Sequence, residues 1–278
     1  MKVVILLSAL FLVVVLSGLY LWRMGDQRSA QAEADRLLAM RQTDPQRFSK
    51  AMVEDLPEPA RRYFHFTIKE GTPLFKVAEI SMRGQFGMGE KNAPNYLPMK
   101  AEQVLAAPEG FVWQMSGGSG AMTISGSDTA QWTRFWLAGV IPVARAGGTA
   151  DHALSGFGRY ISEAVFWTPA AVLPGPGVTW DAVDENTARL TLSHDGRRQS
   201  VDVSVDASGR PVRIVLERWS NANPDGEYRF QPFGGHLSEF REFEGFRLPT
   251  HIEAGNMFGT DAYFAFFIAD VTDIRFTQ

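Results

Sequence analysis

An apolar run near the N-terminus constrains this chain more than any other feature of its sequence. From Val3 to Trp22 it reads VVILLSALFLVVVLSGLYLW, without a charged residue, and it lies between Lys2 and Arg23. A helix of about 20 residues, at roughly 1.5 Å per residue, spans about 30 Å, the thickness of the hydrocarbon core of a bilayer. We therefore predict that residues 1–24 form a transmembrane anchor.

The residues around the run favour a retained anchor over a cleaved leader. A signal peptide has a shorter apolar stretch, roughly 7 to 15 residues, followed by small residues at its cleavage site. Here Leu21, Trp22 and Arg23 follow directly, and the chain has no cysteine that could carry a lipid anchor. The flanking charges hardly decide the orientation. Because so little precedes the run, we predict a single-pass protein of the bacterial cell membrane, with its soluble domain on the periplasmic or extracellular side.

Composition and motifs narrow the function classes of the remaining chain. The formal net charge of −4 argues against a nucleic-acid partner, which requires a basic surface. We find no nucleophile elbow, no dinucleotide-binding loop and no spacing typical of a zinc site, and we predict neither a metal nor another cofactor. Aromatic residues make up 12% of the sequence, enough for either a well-filled core or an apolar pocket.

Helical patterns follow the anchor. Leucine, alanine and charged residues from Asp26 to about Met52 predict a juxtamembrane helix. A second, shorter helix is predicted from Pro57 to about Ile68, because proline is tolerated in the first turn of a helix. We assign residues 25–70 to a juxtamembrane helical segment.

Beyond this segment the apolar residues recur at the two-residue period of a sheet. The stretch VDVSV from Val201 to Val205 places valines on one face and polar side chains on the other. Turn pairs such as Asp195-Gly196 separate successive short strands, as in antiparallel hairpins. We predict that residues 71–278 form one β-rich soluble domain.

One helix, predicted between Asp151 and Trp167, interrupts the strands and carries the strongest candidate site. Arg159 and Glu163 are four residues apart and therefore lie on the same flank, at the predicted rim of a cavity between this helix and the sheet. An exposed ion pair without a function remains the alternative. For the aromatic residues, the alternative to a ligand site is a filled core, which such a stripe forms more often. The candidate ligand-binding residues are Arg159, Glu163, Trp167, Tyr160, Trp113 and Trp136.

Longer stretches resemble an uncharacterised bacterial family of membrane-anchored proteins, a domain of unknown function. They are Leu56–Phe64, Gly110–Trp113 and Arg159–Pro174, and the resemblance continues through Gly177–Trp180 and the region of Arg218. It implies no established activity. The family is similar in fold to the lipoprotein carriers LolA and LolB. The resemblance thus implies a mainly β (α+β) chain, with an N-terminal transmembrane helix and then a curved antiparallel sheet or open half-barrel under a few covering helices.

Hypotheses from different function classes are compatible with these patterns. The leading one is that the domain binds a hydrophobic ligand, a lipid or an acyl chain, close to the membrane. In the first alternative, the domain is a non-catalytic envelope scaffold that binds a protein partner of unknown identity. In the second, a carboxylate-based hydrolase uses Glu163 for acid and base catalysis, with Arg159 and His152 beside it. The sequence leaves open whether the protein is an enzyme.

Overall fold

A computed structural model describes residues 2–276 of the chain. Its first helix, α1 (Lys2–Leu38), contains the whole apolar run and continues without a break past residue 24. Nearly all side chains of the run are exposed. This helix has the length and composition of a membrane span, a property that it shares with signal sequences.

The predicted helix from Asp26 to about Met52 is wrong in its second half. After α1 ends at Leu38, the chain forms only a short 3-10 helix, Lys50–Val53. The intervening residues pair with a distant segment instead: Arg47 forms a β-bridge with Pro73, and such non-local pairing overrides local helix propensity. The shorter helix is confirmed as α2 (Glu58–Thr67), with proline in its first turn.

Antiparallel strands make up most of the chain after α2, as predicted. In the described part of the chain they are β1 (Val77–Gly87), β2 (Tyr96–Ala106), β3 (Gly110–Gly117), β4 (Ile124–Thr129), β5 (Trp132–Leu137), β6 (Ile141–Gly147), β7 (Val178–Ala182), β8 (Thr187–His194), β9 (Arg197–Val205), β10 (Pro211–Ser220), β11 (Arg229–Phe243), β12 (Phe246–Asn256) and β13 (Phe264–Arg275). All of them belong to one 13-stranded sheet, in the order β6-β5-β4-β3-β2-β1-β13-β12-β11-β10-β9-β8-β7.

The two edges of this sheet, β6 and β7, are joined by the helix α3 (Ala150–Trp167) and a 3-10 helix, Pro169–Val172. Along its length α3 contacts β2, β3 and β6 in one half of the sheet, and β9, β10 and β12 in the other half. A single helix reaches both halves because the sheet curves around it. The mainly β fold, an open curved antiparallel sheet with few helices, is therefore confirmed.

The two faces of the sheet pack against different helices. Phe111, Trp113 and Met115 of β3 belong to the main core on the concave face, around α3. Val112, between them, belongs to a second cluster in which the sheet packs against Ala34 and its neighbours on α1. The two-residue period of a strand produces this division. Consequently α3 lies on the concave face and α1 on the convex face.

Candidate functional site

The helix α3 has clear sequence determinants at both ends. The hydroxyl oxygen of Thr149 accepts a hydrogen bond from the backbone N–H of His152 at 3.1 Å, an N-terminal cap. Thr168-Pro169 ends the helix, because the residue before proline disfavours helical backbone. Gly158 allows close packing on the sheet, since a Cβ there would lie 2.8 Å from the Gln199 Oε1 atom. The helix predicted between Asp151 and Trp167 is thus confirmed.

A cavity of about 540 Å³ lies between α3 and the concave face. This volume falls within the roughly 300–1,000 Å³ typical of small-molecule sites. Its wall is mainly apolar, and its charged members come from α3, β4 and β10. Representative apolar wall residues are Phe86, Trp113, Phe135, Phe166, Trp167, Ile214, Phe233, Leu237, Ile252, Ala254 and Phe266.

Arg159 and Glu163 form an ion pair inside this wall, with the Arg159 Nε 2.8 Å from the Glu163 Oε1. Glu163 is only 8% exposed, and its other oxygen accepts a hydrogen bond from Gln103 Nε2 at 2.7 Å. Asp128 is a second carboxylate partner of Arg159. Burial opposes the charge of Arg159, but Glu163 and Asp128 outweigh it and raise the pKa of the guanidinium. The pair is therefore a buried cluster and differs from the exposed ion pair considered above.

Arg218 of β10 lines the same cavity but forms no ion pair with a carboxylate among the described residues. Its polar contacts are to Ser155, at 3.4 Å to the carbonyl and 3.4 Å to the hydroxyl oxygen. Burial, followed by the positive charge of Arg159, lowers the pKa of Arg218 to about 10. The group remains a cation at neutral pH, but it lacks the neutralising partners that Arg159 has.

Arg218 is not among the site residues predicted from the sequence. The signal was present in β10, where Ile214 and Leu216 are buried and Arg218 continues their two-residue period. A charged residue at an inward position of an amphipathic strand is costly unless it is paired. Such an exception to the apolar pattern is a reason to suspect a binding residue.

The structure brings together most of the predicted site residues. Trp113, Arg159, Glu163 and Trp167 line the one cavity. The indole N–H groups of Trp113 and Trp167 are buried and have no hydrogen-bond acceptor among the described residues. Buried donors of this kind are rare in folded proteins. Two of the aromatic wall residues therefore have unused hydrogen-bonding capacity.

Two predicted residues, Tyr160 and Trp136, lie outside the cavity wall. The Tyr160 hydroxyl donates a hydrogen bond to the Pro108 carbonyl at 3.2 Å. Burial raises the pKa of Tyr160 to about 12, so the phenol is neutral at physiological pH. Trp136 lies on the convex face, since its neighbour Phe135 faces the cavity. Its indole donates to Asp26 of α1 at 2.9 Å.

His152, the third residue of the hydrolase hypothesis, is also outside the described cavity wall. Its Nε2 lies 3.2 Å from the carbonyl oxygen of Thr129.

Comparisons with known proteins give a family and similar folds. The model of a family of unknown function, DUF6544, matches residues 46–268, whereas the comparison with curated proteins gives no match. A LolA superfamily protein from Nitrosomonas europaea is 10% identical, with 79% of this chain and 92% of that chain covered and a TM-score of 0.37. A DUF1329 family protein from Desulfovibrio piger is 11% identical, with 72% and 85% covered and a TM-score of 0.38.

Proposed function

Because this chain belongs to DUF6544, a family of unknown function, we propose its role from its geometry: the domain binds an acyl-chain lipid in the cavity beneath α3. The observation that carries this proposal is an apolar cavity of about 540 Å³ whose charged residues are gathered at α3, β4 and β10. Such a division suits an amphipathic molecule, since apolar walls accommodate a hydrocarbon chain and a few polar groups orient its head.

The acyl chain would lie against the aromatic and aliphatic wall. Residues from both halves of the sheet contribute to it, including Phe86, Phe135, Phe233 and Ile252. Removing apolar surface from water contributes roughly 25 cal/mol per Å². Burial of a long hydrocarbon chain is therefore a sufficient source of affinity.

The head of the ligand would be an anion, a carboxylate or a phosphate, bound by Arg218. Arg159 is already neutralised by Glu163 and Asp128, whereas Arg218 has Ser155 as its only hydrogen-bond partner among the described residues and stacks on the Phe233 ring. A buried cation gains most from a charge-assisted hydrogen bond to an anion. The unused indole N–H of Trp167 supplies a further donor in the same wall.

The membrane is the source of the ligand in this proposal. The apolar part of α1 acts as a retained single-pass anchor and keeps the domain on the outer side of the bacterial cell membrane. Support comes from a helix that is long and apolar enough to cross a bilayer. A tethered binding domain meets lipids at a high effective concentration.

Binding can be tested by blocking the cavity. We expect Ala254→Trp, which adds a large ring to the cavity wall, to abolish the fluorescence increase of a dansyl-labelled fatty acid titrated into the full chain in amphipol. Ala182→Trp is the matched control, because Ala182 is exposed on the edge strand β7. Equal binding by wild type and both variants, at an unchanged melting temperature, would place the ligand elsewhere and refute the proposal.

A further inference from the structure

The mouth of the cavity carries large apolar side chains that the fold leaves exposed. Met88, Met122 and Val143 line the cavity and are 55%, 64% and 49% exposed. Ile141 is 52% exposed and pairs with the cavity residue Leu137. We call Met88, Met122, Ile141 and Val143 the mouth patch. Clustered exposed apolar side chains mark an interaction surface.

The mouth patch lies at one end of the sheet. Ile124, at the start of β4, pairs with Gly117 at the end of β3 and with Leu137 at the end of β5. Leu137 in turn pairs with Ile141, at the start of β6. Met122 lies two residues before Ile124 along the chain, so the patch and the turns beside it occupy the same end.

The part of α1 that follows the apolar run reaches the sheet at this same end. Arg23 donates a hydrogen bond to the Ser125 hydroxyl at 3.3 Å. It also lies against the turn between β5 and β6, where a Cβ on Gly139 would be 2.3 Å from its Nη1. The helix then follows the convex face to the opposite end, where Leu37 packs in a cluster with Val77, the first residue of β1.

We propose that the mouth patch rests on the lipid bilayer, so that the cavity opens directly toward the membrane that α1 spans. The apolar run ends at Trp22, and tryptophan and arginine are typical residues of the membrane–water boundary. Because α1 is unbroken from Lys2 to Leu38 and Arg23 contacts the β5–β6 turn, the end of the span and the mouth patch are held at one level. A hydrocarbon chain would then pass between bilayer and cavity without crossing water.

The occupant of this surface is the bilayer itself, because the patch adjoins the anchor. The proposal goes beyond ligand binding, since it requires only that α1 spans the membrane. A protein whose cavity never takes up a lipid would still place its mouth patch on the bilayer. Failure of the fatty-acid titration and failure of this proposal are therefore distinguishable.

Site-specific quenching tests the orientation. The sequence contains no cysteine, so Met122→Cys and Val143→Cys can each carry one environment-sensitive fluorophore in the full chain. Val183→Cys is the control, because Val183 is an exposed apolar residue just beyond β7, at the opposite end of the sheet. The proteins are reconstituted into phosphatidylcholine vesicles with and without lipid that carries a doxyl quencher near its headgroup.

We expect the labels at positions 122 and 143 to lose most of their emission in doxyl-containing vesicles, and the label at position 183 to lose almost none. Ile141→Cys repeats the measurement if either substitution prevents folding. Quenching at 122, 141 and 143 no greater than at 183 would overturn the proposal. Equal strong quenching at all positions would also overturn it, because the domain would then lie on its side.

Discussion

Arg218 and Arg159 both reach the cavity, but of the two only Arg159 has a carboxylate partner among residues 2–276. If Arg218 binds the anionic head of the ligand, Arg218→Met should weaken the binding of a fatty acid about 10- to 100-fold, the equivalent of a hydrogen bond to a charged group, roughly 1.5–3 kcal/mol. Binding of the fatty alcohol of equal length should change little. Titration calorimetry with both ligands measures the difference.

Arg189→Met is the matched control, because Arg189 pairs with Asp202 on an exposed face of the sheet. It should leave both affinities unchanged. An equal loss of acid and alcohol binding in Arg218→Met would mean that Arg218 only shapes the wall.

Glu163 has a structural role that an exposed residue would not have. It is the buried partner of Arg159 and Gln103, so Glu163→Gln leaves the guanidinium with Asp128 as its remaining carboxylate. We expect a loss of about 1–3 kcal/mol in the free energy of unfolding. Urea denaturation monitored by circular dichroism gives the value.

The exposed Arg189–Asp202 pair again supplies the comparison. Asp202→Asn should cost less than about 1 kcal/mol. If Glu163→Gln is as stable as Asp202→Asn, the buried pair contributes no more to the free energy of unfolding than an exposed ion pair does, which would contradict this prediction.

Among the site residues, the sequence predicted the contact that helical spacing determines. Arg159 and Glu163 meet because they are four residues apart on α3. Trp136 was grouped with the same site, but the two-residue period of β5 directs it to the opposite face. Arg218 reaches the same cavity through the curvature of the sheet, which the two-residue period of β10 does not encode.

A buried carboxylate lies at the contact between α1 and the outer strands. Asp26 accepts hydrogen bonds from Trp136 at 2.9 Å and from Arg134 at 3.2 Å, and it also pairs with Arg145. Trp22 packs edge-on against Trp136, with 5.3 Å between the ring centroids. These contacts hold the part of α1 at the end of the apolar run against β5 and β6.

Asp26→Ala should loosen this end of the domain. We expect the free energy of unfolding to fall by about 2 kcal/mol, because the hydrogen bonds to the Asp26 carboxylate disappear. The loss is no larger because Arg134 and Arg145 keep partial access to water. Hydrogen exchange should accelerate in β5 and β6 and remain unchanged in β11 and β12.

Asp35→Ala provides the control on the same helix, because Asp35 is exposed and Gln31 is its only side-chain hydrogen-bond partner in the described part of the chain. Equal exchange in β5 and β6 for the two variants would show that α1 does not hold these strands.

Elements with a strong local period were predictable, and those set by distant pairing were not. The apolar stripe of α3 and the Asp195-Gly196 turn between β8 and β9 agree with the structure. Beyond the end of α1 at Leu38, residues near Arg47 pair with Pro73 instead of continuing the predicted helix. Likewise, β1 pairs with β13, so the first and last strands in the sequence are neighbours in the sheet. No local sequence signal specifies such a partner.

In the whole molecule, the cavity follows from the topology. The chain completes β6 at one edge, crosses the concave face as α3, and resumes as β7 at the other edge. Gly156 and Gly158 are buried and let one part of the helix approach the strands closely. The cavity lies beside the following part of α3, which contributes Arg159, Ser162, Glu163, Phe166 and Trp167 to its wall.

The central claim is that this space holds a hydrocarbon chain. Photocrosslinking with a diazirine-bearing fatty acid, followed by peptide mass spectrometry of the full chain, tests it most directly. We predict crosslinks in α3 and in β10 to β13 at cavity-lining residues, all lost in Ala254→Trp and kept in Ala182→Trp. Crosslinks confined to the apolar run of α1, or equally abundant in Ala254→Trp, would contradict the claim.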